Sequence, residues 1–353
     1  MSAAHPQSSV LGRTDVAVAP TSTTAVASAT SVSLNALPSA QPFLKWAGGK
    51  RQLLSTILPA LPDDFDLSVN RFFEPFMGGA AVTWALASDE ASKSMTQTKR
   101  KRGRPIVLND ANADLATTYQ VVQNDAKALI DALRLLERDT SETAYYAMRA
   151  ARPTDAIERA ARTIFLNQLC FNGLSRYNAR GDFNVSYGKV ARASIHDPKV
   201  LRACATWLRH AEVRSGSYVT ALADAREGDV VYLDPPYIPL SPTASFANYT
   251  KDGFSEIDQW ALAGVIKGLV ARGVRVIFSN SNTELTRAIF GDDLNLYAVS
   301  ASRSIAADGA SRARVEEVLG ISYSPLLARD PAMLLELRRL TTATRPSIGK
   351  RSA

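Results

Sequence analysis

The chain is poor in cysteine and histidine: 353 residues hold two cysteines, Cys170 and Cys204, and three histidines. Neither cysteine has a partner at CxxC spacing or a neighbouring histidine cluster, which argues against a disulfide scaffold and against a zinc site. Two isolated thiols fit a reducing compartment. No apolar run reaches the ~18 residues that indicate a membrane span. The N-terminus lacks a basic region followed by a continuous apolar stretch, so a secretory signal is not expected either. Residues 1–40 have almost no charge and no aromatic side chain, being mostly Ala, Ser, Thr, Val and Pro. A stretch with so little to bury reads as a disordered tail. Acidic residues are in the minority, 34 against 41 Lys and Arg. The net charge is therefore +7 and the pI about 9.4. That balance favours polyanionic partners.

What is present is enough for a sizeable core, with 46% of residues hydrophobic. The length suggests one large or two modest domains. Residues 41–112 hold glycine-rich turns and the strand Ile106-Val107-Leu108, which ends on Asn109-Asp110. Residues 113–215 follow a mostly helical period, for example at 125–138 and 158–169, around a Gly/Asn-rich stretch at 171–188. Residues 216–325 return to alternation: a strand at 230–233, a helix at 255–271, a strand at 274–278. Strands alternating with helices imply an α/β, doubly wound sheet, here with an inserted, mostly helical domain at 113–215. Residues 326–353 are expected to be a C-terminal tail, with a short helix at 330–340 and fraying beyond 341. Within the first block, the basic loop 91–105 carries five basic residues between Lys99 and Arg104. Its Arg-Gly-Arg-Pro core resembles an AT-hook, a segment that lies in an A·T-rich minor groove. A solvated loop is the other reading.

The sharpest motif is Asp234-Pro235-Pro236-Tyr237, directly after an apolar strand. Its residues suit methylation of an exocyclic amine, a poor nucleophile because its lone pair is delocalised into the ring. A carboxylate and a backbone carbonyl can each accept one N–H, which fixes the lone pair and stabilises the charge growing on nitrogen. Proline has no N–H and a fixed φ, so it makes a rigid turn that aims neighbouring carbonyls. Tyr237 offers a face for a base to stack on. The plain alternative is a strand-to-loop turn.

A second motif is Phe73-Glu74-Pro75-Phe76-Met77-Gly78-Gly79-Ala80-Ala81. Small residues between a strand and a helix let the backbone pass close to a ligand. Downstream, Asp110 ends the next strand, where an acid can accept hydrogen bonds from ribose hydroxyls. It can equally be the N-cap of the helix that follows. A third motif, Lys45-Trp46-Ala47-Gly48-Gly49-Lys50, is not a phosphate loop, because Leu44 and Arg51 stand where Gly and Ser/Thr are required. It can form a floor for an amino-acid carboxylate.

The fourth runs from Phe171-Asn172-Gly173-Leu174-Ser175-Arg176-Tyr177-Asn178 through Tyr187-Gly188. It reads as a loop and hairpin rich in aromatics, Asn and Arg. From Arg176 to Arg214 there are eight Lys/Arg against three Asp/Glu. Arginine can bridge guanine O6 and N7, asparagine can pair with base edges, and aromatics can fill the gap left by a flipped base. Arg176 and Leu174 are the candidates for reading a guanine and a thymine methyl group. Phe171 and Asn172 are candidates for the flipped-base gap, and Arg180, Lys189 and Arg192 for phosphate anchors.

Taken together and in this order, the four motifs resemble the DNA adenine methyltransferase (Dam) family of bacteria and phages. The resemblance runs from Phe43 to Tyr323 and includes Ile238-Pro239-Leu240-Ser241-Pro242-Thr243-Ala244-Ser245-Phe246, Arg303-Ser304-Ile305 and Arg312. It implies a Rossmann-like catalytic domain built from 41–112 and 216–325, with the insert 113–215 as target-recognition domain. It implies S-adenosylmethionine as methyl donor, held by Trp46, Ala47, Gly48, Lys50, Glu74, Pro75, Phe76, Asp110, Ser217 and Tyr218. Catalysis falls to Asp234, Pro235, Pro236 and Tyr237. DNA contacts fall to Lys45, Phe171, Asn172, Leu174, Arg176, Asn178, Arg180 and Lys189. The implied substrate is the adenine of GATC in double-stranded DNA, reached by base flipping. No metal is needed, because the donor carries its own sulfonium leaving group. A cytoplasmic, nucleoid-associated monomer is expected. Ser186 replaces a proline of the family's hairpin and Phe171 a tyrosine, which bears on the strictness of site choice.

Two other readings use the same residues. Glutamine-N5 and some RNA methyltransferases share an (Asn/Asp)-Pro-Pro-Tyr motif, but without an Arg/Asn-rich insert like 113–215. A non-catalytic DNA-binding regulator is a different class, against which the intact Asp234, Pro235, Tyr237 and Asp110 argue.

Overall fold

The computed structural model describes residues 40–46, 48–88, 104–178, 180–189, 194–240, 253–302 and 314–340. The expected tail at 1–40 (but for its last residue), most of the basic loop 91–105, Ala47, Arg192, the run 241–246, the 303–305 and 312 matches, and the end beyond 340 lie outside the described residues.

Eight strands form one sheet in the order β3-β2-β1-β4-β5-β7-β6-β8. The strands are β1 (Phe72–Glu74), β2 (Ile106–Asp110), β3 (Ala211–Ser215), β4 (Val230–Leu233), β5 (Arg275–Ser281), β6 (Asn295–Ser302), β7 (Arg314–Ile321) and β8 (Arg338–Arg339). β1 to β5 pair in parallel, and β7 runs antiparallel between β5 and β6. The central parallel strands carry continuous apolar runs, Phe72-Phe73 in β1, Ile106-Val107-Leu108 in β2 and Val230 to Leu233 in β4, because both faces of the sheet are covered there. Phe72, Ile106, Leu108, Val230 and Tyr232 enter one core; Phe73, Val107, Val231 and Leu233 enter the other.

The helices are α1 (Leu54–Ala60), α2 (Ala81–Ser88), α3 (Ala113–Leu136), α4 (Glu142–Ala150), α5 (Ala156–Leu169), α6 (Pro198–Leu208), α7 (Tyr218–Ala221), α8 (Glu256–Ala271), α9 (Glu284–Phe290) and α10 (Pro331–Glu336). Short polar side chains start many of them: Asn112 caps α3, Asp155 caps α5, and Ser255 forms a capping box with Asp258 on α8. Among the described residues no helix is long and apolar enough to cross a membrane.

The structure moves three boundaries read from the sequence. β3 pairs with β2 over Ile106↔Ala211 to Asp110↔Ser215, so the last residues of the 113–215 block are part of the sheet. The first half of α3 also belongs to the sheet layer: Gln120 and Gln123 donate their side-chain amides to the Val213 and Ala211 carbonyls. α3 then breaks at Asp125, with φ −135°. The block read as a C-terminal tail from 326 is folded as far as 340. Leu334 is fully buried, α10 lies on α1, and β8 extends the sheet beside β6.

This topology locates a crevice. The chain winds outward from β1 to β2 and β3, then returns to place β4 on the other side of β1. Where parallel strand order reverses, the loops after the two central strands leave in opposite directions and open a ligand crevice at their carboxyl ends. The motif after β1 and the motif after β4 flank that crevice.

Candidate active site

The loop after β1 is shaped by a close approach. Gly78 has φ +46°, and a Cβ there would lie 2.6 Å from Trp46 Nε1. Only glycine suits both the left-handed backbone and the indole. The Gly78 amide donates to Asp110 Oδ2 at 3.1 Å, and the Asn112 amide donates to Asp110 Oδ1 at 2.9 Å. Asp110 is therefore not the N-cap of α3; Asn112 is, accepting from the Asp114 and Leu115 amides. Burial pushes the Asp110 carboxyl up to about 6, against the pull of those two backbone donors.

Asn109, the residue before it, braces the loops around the crevice. Its Nδ2 donates to the Pro75 carbonyl at 3.1 Å and to the Gly216 carbonyl at 3.0 Å. Glu74, 3% exposed, accepts from the Thr83 amide at the start of α2, at 3.1 Å. Burial drives its carboxyl up to about 8; Thr83 pulls it down and the charge of Asp234 adds to the rise. Phe76, Tyr218 and Phe254 form an aromatic trio, with Phe76 and Tyr218 centroids 5.1 Å apart. Ser217 uses its hydroxyl to cap α7.

Across the crevice, β4 delivers Asp234. Its Oδ1 accepts from Lys50 Nζ at 2.8 Å and from Ser279 Oγ, on β5, at 2.9 Å. The Ser279 hydroxyl in turn contacts the Tyr232 hydroxyl at 3.0 Å. Among the described residues Oδ2 of Asp234 accepts no hydrogen bond. Lys50 also donates to the Gly48 carbonyl at 2.6 Å and sits over the Tyr237 ring, 4.6 Å from its centroid. The Tyr237 hydroxyl donates to Glu317 Oε2, on β7, at 2.6 Å. Burial, with the charges of Asp234 and Glu317, holds the Tyr237 phenol well above its ordinary range, so it keeps its proton.

The Pro-Pro turn is pinned from behind. Gln259 of α8 donates to the Pro236 carbonyl at 2.8 Å, and the Ile238 amide donates to Asn280 Oδ1 at 2.9 Å. The Pro236 carbonyl is thus taken, and the Pro235 carbonyl accepts nothing among the described residues. Gln259 and Asn280 are fully buried. A buried amide must find partners, and these two find theirs in the turn.

The structure separates the candidate DNA residues from this crevice but ties them to it. Phe171 is 47% exposed, and Asn172, Arg176, Arg180 and Lys189 are exposed beside it on a hairpin bridged at Cys170↔Tyr187 and Tyr177↔Phe183. Leu174 is half-buried against the core. Arg176 Nε donates to Asn184 Oδ1 at 2.8 Å, so the hairpin already holds part of its guanidinium. Asn178 closes the turn, accepting from the Arg180 and Asp182 amides. Lys45 is clamped by Asn167 of α5, which accepts from its amide at 2.9 Å and donates to its carbonyl at 2.6 Å. Lys45 Nζ donates to the Gln168 carbonyl, and its side chain packs where a Cβ on Gly173 would stand, at 2.6 Å. Asn112 joins the hairpin to the Asp110 loop, donating to the Tyr177 hydroxyl at 2.8 Å.

Sequence reasoning missed Ser279, Asn280, Gln259, Asn109, Asn167 and Glu317. The one local signal was polar residues inside strand patterns, as in Ser279-Asn280-Ser281 and Glu316-Glu317.

Comparison with known proteins gives a consistent result. The sequence profile of the D12 class N6 adenine-specific DNA methyltransferases matches residues 46–305. The type II methyltransferase M1.LlaDCHI of Lactococcus lactis subsp. cremoris is 35% identical over 291 residues, covering 80% of this chain and 95% of that protein. The DNA adenine methylase of Escherichia coli strain K12 is 35% identical over 288 residues, covering 80% of this chain and 95% of the relative. The type II methyltransferase M.MjaIII of Methanocaldococcus jannaschii is 34% identical over 300 residues, covering 80% and 99%.

Proposed function

Because the chain belongs to the D12 class of N6 adenine-specific DNA methyltransferases, we propose that it methylates the adenine of GATC in duplex DNA, using S-adenosylmethionine and flipping the target base. The observation that carries the chemistry is the state of Asp234. One of its oxygens is fixed by Lys50 and Ser279, the other accepts no hydrogen bond among the described residues, and the same lysine lies over the Tyr237 ring.

The residues fit the donor. Asp110 presents a carboxylate at the end of β2 to ribose hydroxyls, Trp46 over Gly78 forms a close-packed wall, and Phe76 with Tyr218 and Phe254 offers aromatic faces to a nucleobase. Lys50 and the turn at Gly48 suit an amino-acid carboxylate. When bound, S-adenosylmethionine supplies a methyl group on a sulfonium, whose departure as a neutral thioether needs no Lewis acid.

The protein's work is at the amine. Asp234 Oδ2 and the Pro235 carbonyl each accept one N–H of the target amino group. That leaves the nitrogen lone pair directed out of the base plane. The carboxylate stabilises the positive charge that grows on nitrogen, and does so without reorganising because Ser279 holds it. Tyr237 stacks on the base and excludes water. GATC as the site rests on the likeness to relatives called DNA adenine methylase and on a hairpin that carries Arg176 and Leu174.

Initial rates with labelled donor test this reading on a GATC duplex, on all its single-base variants, and on the same strand unpaired. Preference for the GATC duplex supports it. Equal rates across the panel would sink the site assignment. An adenine-sized fluorescent base at the target position should brighten on binding if it leaves the stack.

A further inference from the structure

The face of the sheet that opens on the crevice carries a carboxylate that the chemistry above does not use. β7 pairs antiparallel with β5, with Glu317 opposite Ser281 at the carboxyl end of β5. That is the edge from which the loop after β4 also leaves. Glu316 and Glu317 are adjacent, and strand alternation sends them to opposite sides. Glu316 is exposed and bound by Arg338 and Asn282. Glu317 is half-buried, and its partner is the Tyr237 hydroxyl at 2.6 Å. Among the described residues no cation lies within ion-pair distance of Glu317. Its hydrogen bond comes instead from the hydroxyl of the ring that the target base is expected to stack on.

We propose that Glu317 is a positioning residue for methyl transfer, acting through the hydroxyl of Tyr237. The tyrosine leaves a short turn and has no other anchor for its tip among the described residues. A charge-assisted hydrogen bond fixes where the tip of the ring sits and its depth in the crevice. The same bond draws electron density into the ring. The ring face already holds a cation, since the Lys50 ammonium lies 4.6 Å from its centroid. A face that attracts a cation also favours the positive charge that develops on the target nitrogen. Glu317 thus couples β7, the antiparallel strand inserted into an otherwise parallel run, to the reaction centre.

The inference rests on Asp234 to Tyr237 being the reaction centre, and the test separates the two. Glu317→Ala, Glu317→Gln and Tyr237→Phe are compared with the parent and with Asp234→Ala by steady-state kinetics on a cognate duplex. Glu317→Ala should lower kcat about tenfold with donor KM within about twofold. Glu317→Gln, whose amide oxygen still accepts from the phenol, should recover most of that loss. Tyr237→Phe removes the same bond from the other end and should match Glu317→Ala, which guards against a Glu317→Ala chain that fails to fold. Adding Glu317→Ala to Tyr237→Phe should cost less than about twofold more. An unchanged kcat in Glu317→Ala, or an equal penalty with and without the Tyr237 hydroxyl, overturns the inference while leaving the reaction centre intact. Activity surviving in Asp234→Ala overturns the reaction centre itself.

Discussion

Lys50 and Asp234, far apart in sequence, meet in an ion pair at 2.8 Å with side chains only 6% and 20% exposed. Sequence motifs assign the lysine to the methyl donor and the aspartate to the target amine. The structure joins them, so the proposed floor for the donor and the proposed acceptor for the amine share one charged contact.

That contact makes the first prediction. Lys50→Met strips Asp234 of its cation and leaves Ser279 as its remaining donor. Breaking a largely buried pair costs several kcal/mol, reduced here by the partial exposure of Asp234, so a loss of about 1–3 kcal/mol is expected. In an Asp234→Asn background the same lysine change should cost little. Denaturant melts of the four proteins measure the coupling; equal costs in both backgrounds would show that the pair does not stabilise the fold.

A second prediction concerns Glu74. Its carboxyl is raised to about 8 in the folded protein from an ordinary 4.5, chiefly by burial. The folded state therefore keeps a proton that the unfolded chain releases. The stability this contributes is full below about 4.5 and is lost as pH rises through about 8. Glu74→Gln keeps an acceptor for the Thr83 amide and cannot ionise. Melting temperatures of the ligand-free protein should fall from pH 6 to pH 9 in the parent and fall less in the variant. Parallel curves would contradict it.

Asp110 gives a third. Its carboxyl is raised to about 6, again chiefly by burial. As the ionised acceptor of ribose hydroxyls it should hold the donor well above that pH and progressively less below it. Calorimetric titrations of the donor at pH 5 and pH 8 should differ accordingly, and Asp110→Ala should lose roughly 10- to 150-fold in affinity at pH 8. Unchanged affinity would assign Asp110 to bracing the Gly78 and Asn112 amides alone.

Arg176 gives a fourth. Its Nε donates to Asn184 Oδ1 at 2.8 Å and one terminal amino group reaches the Asn184 carbonyl at 3.3 Å, so a two-pronged contact with guanine requires the longer of these bonds to be exchanged for the base. Arg176→Ala should lose about 1–3 kcal/mol at one base pair and accept duplexes altered there. Rates across all single-base variants decide it: an equal drop on every duplex would make Arg176 a phosphate anchor.

Much of this site is legible in the sequence, for physical reasons. β2 and β4 bury both faces, so they read as continuous apolar runs. Asp234 to Tyr237 stands out because two prolines cannot continue a strand. The polar anchors do not stand out. Ser279 and Glu317 matter through β4-β5-β7 adjacency, and β7 reaches β5 from the far side of β6 in sequence. β3 went unread because it is an edge strand, Ala-Glu-Val-Arg-Ser, with three polar side chains. The break at Asp125 has no Pro or Gly to announce it.

The central claim is that Asp234, at the end of β4, directs methyl transfer to adenine N6 in GATC. The most direct test expresses the chain, and separately its Asp234→Ala variant, in cells without adenine methylation of their own, and maps modified bases by long-read sequencing of the DNA. The account predicts N6-methyladenine at GATC with the parent and none with the variant. Methylation spread over unrelated sequences, or retained in Asp234→Ala, would contradict it.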